Sequence, residues 1–406
     1  MDAQLAPPED RSTQLQFEPI FELGGPAYRL MRRMGIIRGS GPSILRRSVA
    51  FWAITWVPML ALAVWDGHAI GPTPRTSFLL DLATYARIFV AVPLIFLAET
   101  VVGPRIRAAG LRFLQADIVA VEDVPKFLGA EERAHRRREA ALPELLFLAL
   151  ALISAWLFTI EQLGGLEAQS WHDVWTSSGL ATSAAGLWYR FVTIPLVQFF
   201  LLRWLWRLLI WTLFLWEVTH FKLNLVATHT DMAGGLGFLG TAHVTLSIFP
   251  FAMSCVLAAE LAFRVKFEGM DLAQLRTMLP LLAAYIIFVE AVTFGPLLLL
   301  VPLLAQVRRE GLRDYGMLTQ RHNALFHRKW IEGGRPQDEE PLGNPDMSSL
   351  VDLGSSFAVV RQMSVFPVGR AQLAQVAVVS CLPGLPLAFL VLPIGEVVRL
   401  LVGVIT

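Results

Sequence analysis

The sequence predicts an all-α, polytopic membrane protein with about seven transmembrane helices and a helical layer on the cytoplasmic side. Three observations predict it. Hydrophobic residues make up 55% of the 406-residue chain and charged residues only 17%, with a mean hydropathy of +0.54, too apolar for an ordinary soluble domain. The apolar residues gather into runs of roughly 20, the length that carries a helix across ~30 Å of hydrocarbon. Between those runs, arginine-rich segments alternate with segments short of positive charge, as in multi-pass proteins.

Taken in order, residues 1–47 are polar and then basic, through Arg29, Arg32, Arg33, Arg38, Arg46 and Arg47. That segment is too long for the n-region of a signal peptide, so the first span is expected to be retained. Apolar runs follow at 48–65, 82–102, 142–160, 189–218, 241–263, 279–306 and 373–394. Segment 161–187 has no Lys or Arg, which by the positive-inside rule places it outside and the N-terminus in the cytoplasm. Segment 103–141 is expected to be cytoplasmic helix, with Ile106, Leu111, Leu114 and Ile118 on its apolar side. Segment 307–372 reads as a charged continuation of span six, a Gly/Pro/acid loop, and a further helix with Ser348 or Ser349 as N-cap. The end, 373–406, is one span broken by Pro383, Pro386 and Pro393, which could cross fully or end in a re-entrant piece.

Charges inside the spans carry the functional question, since each costs on the order of 2.5–3.5 kcal/mol at mid-membrane unless paired or wet. Arg203 and Arg207 lie one turn apart in span four, and Glu290 lies near the centre of span six. Counting residues puts Arg203 and Glu290 at one depth, so they are expected to face each other or a shared cavity. Arg87 and Glu260 fall near the outer face, Glu99 and Glu217 near the inner one, as further intramembrane ion pairs. These charges either hold the helices together or, in the case of Arg203, Arg207 and Glu290, line a path for an anion.

Between spans four and five runs His229-Thr230-Asp231-Met232-Ala233-Gly234-Gly235-Leu236-Gly237-Phe238-Leu239-Gly240. It contains G-x-G-x-x-G, yet no strand precedes it and a membrane span follows, so it is no dinucleotide fingerprint. Asp231 is expected to cap the next helix while the glycines admit a neighbouring backbone. The competing expectation is a cytoplasmic-face ligand site made by His229, Asp231, Gly234, Gly235 and Gly237. No standard zinc spacing surrounds His220, His229, Asp231 or His243, and Cys255 and Cys381 lie in apolar spans, so no metal, cofactor or disulfide is expected. Nucleophile-elbow, zinc-protease and Walker signatures are lacking, which makes an enzyme the less favoured class. Trp171, His172, Asp173 and Trp175 read as an interfacial aromatic anchor.

The string from His229 to Leu239 resembles a recurring H-P-D-x-A-G-G-L-G-F-L pattern, with Thr230 in the proline position. A second string comprises Met347-Ser348-Ser349-Leu350-Val351-Asp352-Leu353 and Ser356-Phe357-Ala358-Val359-Val360-Arg361-Gln362-Met363. Together they are similar to an uncharacterised family of bacterial multi-pass membrane proteins. The resemblance implies a bacterial inner-membrane location and no particular activity.

The leading expectation is a homo-oligomeric channel or transporter for a small ion or anionic solute. A membrane-embedded enzyme or lipid-handling protein is the second, and a scaffold or sensor is the third. A net charge of +1 argues against a nucleic-acid partner.

Overall fold

The computed structural model describes residues 20–21, 24–38, 43–157, 170–176, 179–271, 274, 277–332, 339–340 and 342–387. Ten helices are distinguished among them. A short α1 (Pro26–Arg33) precedes α2 (Ile44–Trp65), α3 (Leu82–Gln115), α4 (Val124–Glu139) and α5 (Ala141–Leu157). A two-stranded hairpin, β1 (Asp173–Thr176) with β2 (Gly179–Thr182), then leads into α6 (Ala184–Val218), α7 (Gly237–Phe267) and α8 (Leu279–Glu332). Last come α9 (Pro345–Gln362) and α10 (Arg370–Cys381).

Five of these, α2, α3, α6, α7 and α8, are long and apolar enough to cross a membrane, and α4 with α5, bent by 42°, makes a sixth if counted as one span. The expected seventh span begins as the 12-residue α10, and its continuation past residue 387 lies outside the described residues. Besides an isolated antiparallel bridge between Val119 and Leu223, the small hairpin is the departure from an all-helical chain among the described residues, and it falls in the segment without Lys or Arg.

Prolines shape the long helices. The π-helical stretch Ala86–Ala91 in α3 precedes Pro93, Tyr189–Thr193 in α6 precedes Pro195, and the 3-10 stretch Gly295–Leu300 in α8 contains Pro296. A proline has no N–H and its ring collides with the carbonyl four residues back, so the ladder must widen or tighten there. The freed carbonyls find indoles: Trp52 Nε1 donates to the Ile88 carbonyl, and Trp188 Nε1 to the Ile54 carbonyl four residues before Pro58, both at 3.0 Å. In hydrocarbon each unpaired carbonyl would cost several kcal/mol, and these tryptophans remove that cost.

α6 is the central pillar, packed by α3, α4, α5 and α8. Its buried face carries Trp204, Ile210, Trp211, Phe214 and Val218 within the main apolar core. His243 of α7 ties three helices at this level. Its Nε2 accepts from Trp211 Nε1 at 2.9 Å, so Nδ1 carries the proton and donates to the Thr293 carbonyl of α8 at 2.7 Å. A smaller core around Phe51, Met59, Phe78 and Phe96 closes the other end, where Trp171 is buried and donates to Asp81 at 2.9 Å. Trp171 is therefore a core residue and not the expected interfacial anchor, because its indole fills the space under Phe78.

At the basic end, α8 runs on far past its apolar half and α9 returns along it. The N-cap of α9 is Asn344, whose side chain accepts from Asp346 N at 2.8 Å with Pro345 at the first helical position. This displaces the expected caps: Ser349 already lies inside the helix, its hydroxyl donating to the Asp346 carbonyl.

Candidate functional site

Three arrangements bring together the residues that could carry function. The first is a buried ionic cluster. Glu99 of α3 takes Arg47 of α2 in a bidentate pair, Arg207 of α6 at 3.1 Å and Arg203 at 3.5 Å. Arg203 Nε also donates to Glu144 of α5 at 2.9 Å. Further donors are answered by main chain, Arg207 donating to the Phe21 carbonyl at 2.8 Å and Arg203 to the Gly24 carbonyl, while Arg47 Nε is buried without a partner among the described residues. Glu144 in turn accepts from Ala27 N at 2.6 Å. Arg47, Glu99, Arg203 and Arg207 are each at most 4% exposed. The cluster is closed, and its three guanidiniums against two carboxylates are balanced by carbonyl dipoles of the N-terminal segment.

This corrects the expected partner of Arg203. Glu290 takes no part, and both its oxygens are covered without a hydrogen-bond partner among the described residues. Equal depth along two helices does not fix the direction in which either residue points, and Arg203 points towards α3 and α5. The other expected pairs are also redistributed. Arg87 donates to the Tyr189 hydroxyl and lies over its ring, while Glu260 pairs with Arg264 one turn along the same helix at 2.9 Å. Glu217 holds Arg133 and Arg137 of α4 at 2.6 and 3.0 Å, which explains why the basic run of α4 lies along the end of α6.

The second arrangement is the glycine-rich turn. Asp231 accepts from the N–H groups of Ala233, Gly235 and Gly237 at 2.9, 3.1 and 2.8 Å, and His229 Nδ1 lies 2.7 Å from its carboxylate. Burial pushes the Asp231 carboxyl up, but those backbone donors and His229 outweigh it and hold the group below its ordinary value. With its carboxylate bonds spent on its own turn and on Gly237, the first residue of α7, Asp231 builds the turn and ties it to the helix start. Gly234 and Gly235 have φ of +65° and +98°, conformations that favour glycine.

The turn receives the linker between α9 and α10. Ser364 N donates to the Met232 carbonyl at 2.7 Å, Met363 packs on Gly234, and a Cβ on Gly240 would lie 2.4 Å from the Pro367 carbonyl oxygen. The glycines of the turn admit this close approach, and the strings 229–240 and 347–363 meet here.

The third arrangement has no counterpart among the sequence expectations. A groove opens sideways along the seam of α3, α7 and α10, in two parts that share Phe251. The part nearer the basic end, about 620 Å³, is lined by Arg105, Thr241, Ser247, Gln372 and Gln375 among aliphatic side chains. The other, about 340 Å³, is lined by Val90, Cys255, Ala258, Ala259, Ala262 and Pro383, and is mostly apolar. The small residues of α7 were the available sequence signal, but Ala258, Ala259 and Ala262 read as ordinary helix packing unless the neighbouring helix is known to stand off.

Among the described residues no group of three or more His, Cys, Asp or Glu side chains could hold a metal ion. Compared with protein-family models, curated proteins and solved structures, the chain matches none. Fold and site together define a class: a helical protein with membrane-length apolar helices, a sealed ionic core and a lateral groove.

Proposed function

We propose that the chain is a multi-pass, lipid-handling protein of a bacterial inner membrane, with its basic end in the cytoplasm, which takes an amphiphile sideways from the bilayer. The single observation that carries this reading is the α3/α7/α10 groove. From Thr241 to Ala262 it follows α7 for about 30 Å, close to the thickness of the hydrocarbon layer. Pockets that bind small molecules are mostly apolar with few polar groups, and this groove has that composition. A path for a small anion past Arg203, Arg207 and Glu290 is less well supported. Arg203 and Arg207 are spent on Glu99, Glu144 and main-chain carbonyls, and Glu290 stands apart.

Reconstitution into liposomes containing a phospholipid with a photoactivatable acyl chain tests the reading. Adducts concentrated on Ile248, Phe251 and Val379 are the expected result. Adducts spread evenly over the outward faces of α2 and α5 would reject it.

A scaffold role has its own support in the length of α8, 54 residues against the roughly 20 a membrane needs. It concerns the arm of the molecule, and both roles can coexist in one chain.

A further inference from the structure

We infer that the groove is selective: its occupant is an anionic, phosphate-bearing lipid of the leaflet at the basic end, with its headgroup on Arg105 and its acyl chain ending against Phe251. This assignment of ligand class rests on the lipid-handling reading above.

Three features carry it. Arg105 is exposed at the mouth of the larger cavity and has no ion pair or hydrogen bond among the described residues. That contrasts with Arg47, Arg203 and Arg207, each held by carboxylates. Among the described residues no carboxylate lines either cavity, so the described mouth carries a net positive charge and suits an anion. Beside Arg105, the Thr241 hydroxyl accepts from Gln372 Nε2 at 3.0 Å, which leaves its own hydrogen free to donate outward. The amide of Gln375 is exposed on the same wall. Guanidinium, hydroxyl and amide donors around one opening match the acceptor oxygens of a phosphodiester.

Depth supplies the rest. Phe251 lies ten residues from Thr241 and eleven from Ala262, so it divides the groove near mid-membrane, at the reach of one leaflet's acyl chains. Among the described residues the cavity beyond it is lined by no cation. A headgroup therefore finds charge at one end only, and the free anion alone would leave the apolar wall from Ile248 to Val379 empty.

The test uses the full chain in nanodiscs with photoactivatable phosphatidylglycerol or phosphatidylcholine of identical acyl chains. Expected is preferential labelling of Ile248, Gln375 and Val379 by the anionic probe, competed by unlabelled phosphatidylglycerol and not by inorganic phosphate. Arg105→Gln lowers anionic labelling about five-fold, the effect of one basic contact at a membrane surface, and lowers zwitterionic labelling less, because the choline cation already offsets the charge of that phosphate. Ile248→Trp, which fills the cavity, lowers both. Thermal unfolding of each variant confirms that the bundle is intact. Equal labelling by the two probes, or an unaffected Arg105→Gln variant, would overturn the headgroup assignment and leave the groove reading standing. Displacement by inorganic phosphate would overturn the lipid as the source of the anion. No groove labelling by either probe would remove the lipid-handling reading, and this assignment with it.

Discussion

Glu99 holds three arginines that no solvent reaches, so its charge matters more than its hydrogen bonds. Glu99→Gln keeps an acceptor and a similar volume but leaves Arg47, Arg203 and Arg207 with Glu144 as their remaining carboxylate. Removing one partner from a buried ionic cluster costs about 3–5 kcal/mol, so the variant should show a large fall in thermal midpoint in detergent. Arg136→Gln is the control: its pair with Glu132 is exposed on both sides, and its midpoint should match the wild type. Asp231 gives a pH prediction. Its carboxyl is held below the ordinary value, so its contribution to stability is full above the unfolded pKa of about 3.9 and is lost as pH falls through the lower folded value. Hydrogen exchange at the Gly235 and Gly237 amides should stay slow at pH 5 and accelerate only below about pH 4. Rapid exchange already at pH 5 would contradict the geometry of the turn.

At the level of helices, the decisive contact is the docking of the α9–α10 linker on the start of α7. Gly240→Val would gain helix propensity over glycine, by a few tenths of a kcal/mol, yet its Cβ would meet the Pro367 carbonyl. Overpacking of this kind costs about 1–3 kcal/mol, so the clash prevails and the linker should lift. Faster hydrogen exchange from Met363 to Gln372, with α6 unchanged, is the expected signature. The elements themselves were largely legible in the sequence, because a run of apolar residues of membrane length has few other uses; 82–102 and 279–306 are found inside α3 and α8. Their partners were not. Depth along the helices matches Arg203 to Glu290, whereas its bonds go to Glu144, at the first turn of α5, and to Gly24 in a segment with no hydropathy signal. The proline-linked π stretches of α3 and α6 also rotate the residues beyond them about the helix axis, a shift that residue counting misses. The groove was illegible for a related reason: it exists because α3, α7 and α10 stand apart, and spacing between helices is written in no single one of them.

For the molecule as a whole, the sequence-derived orientation places the arm of α8 and α9 on the same side of the membrane as α1. Single cysteines at Met317, Ile331 and Arg29, in a background with Cys255 and Cys381 replaced by Ala, should react with a membrane-impermeant maleimide only after the inner face of the membrane is opened. A cysteine at His68, at the opposite end of the bundle, should react in intact cells. Reaction of the arm positions in intact cells would reverse the proposed orientation.

The continuity of α8 has a mechanical consequence. Residues 307–332 continue the membrane helix for about 39 Å, braced by α9, so a change of about 10° in the tilt of the membrane half, well within the range membrane helices adopt, would swing the tip of the arm by about 7 Å. Helix tilt answers to bilayer thickness. The arm is thus a pointer on the bilayer, turning about 2 Å of thinning, from the roughly 20° tilt usual for membrane helices, into sideways travel that a soluble protein could read.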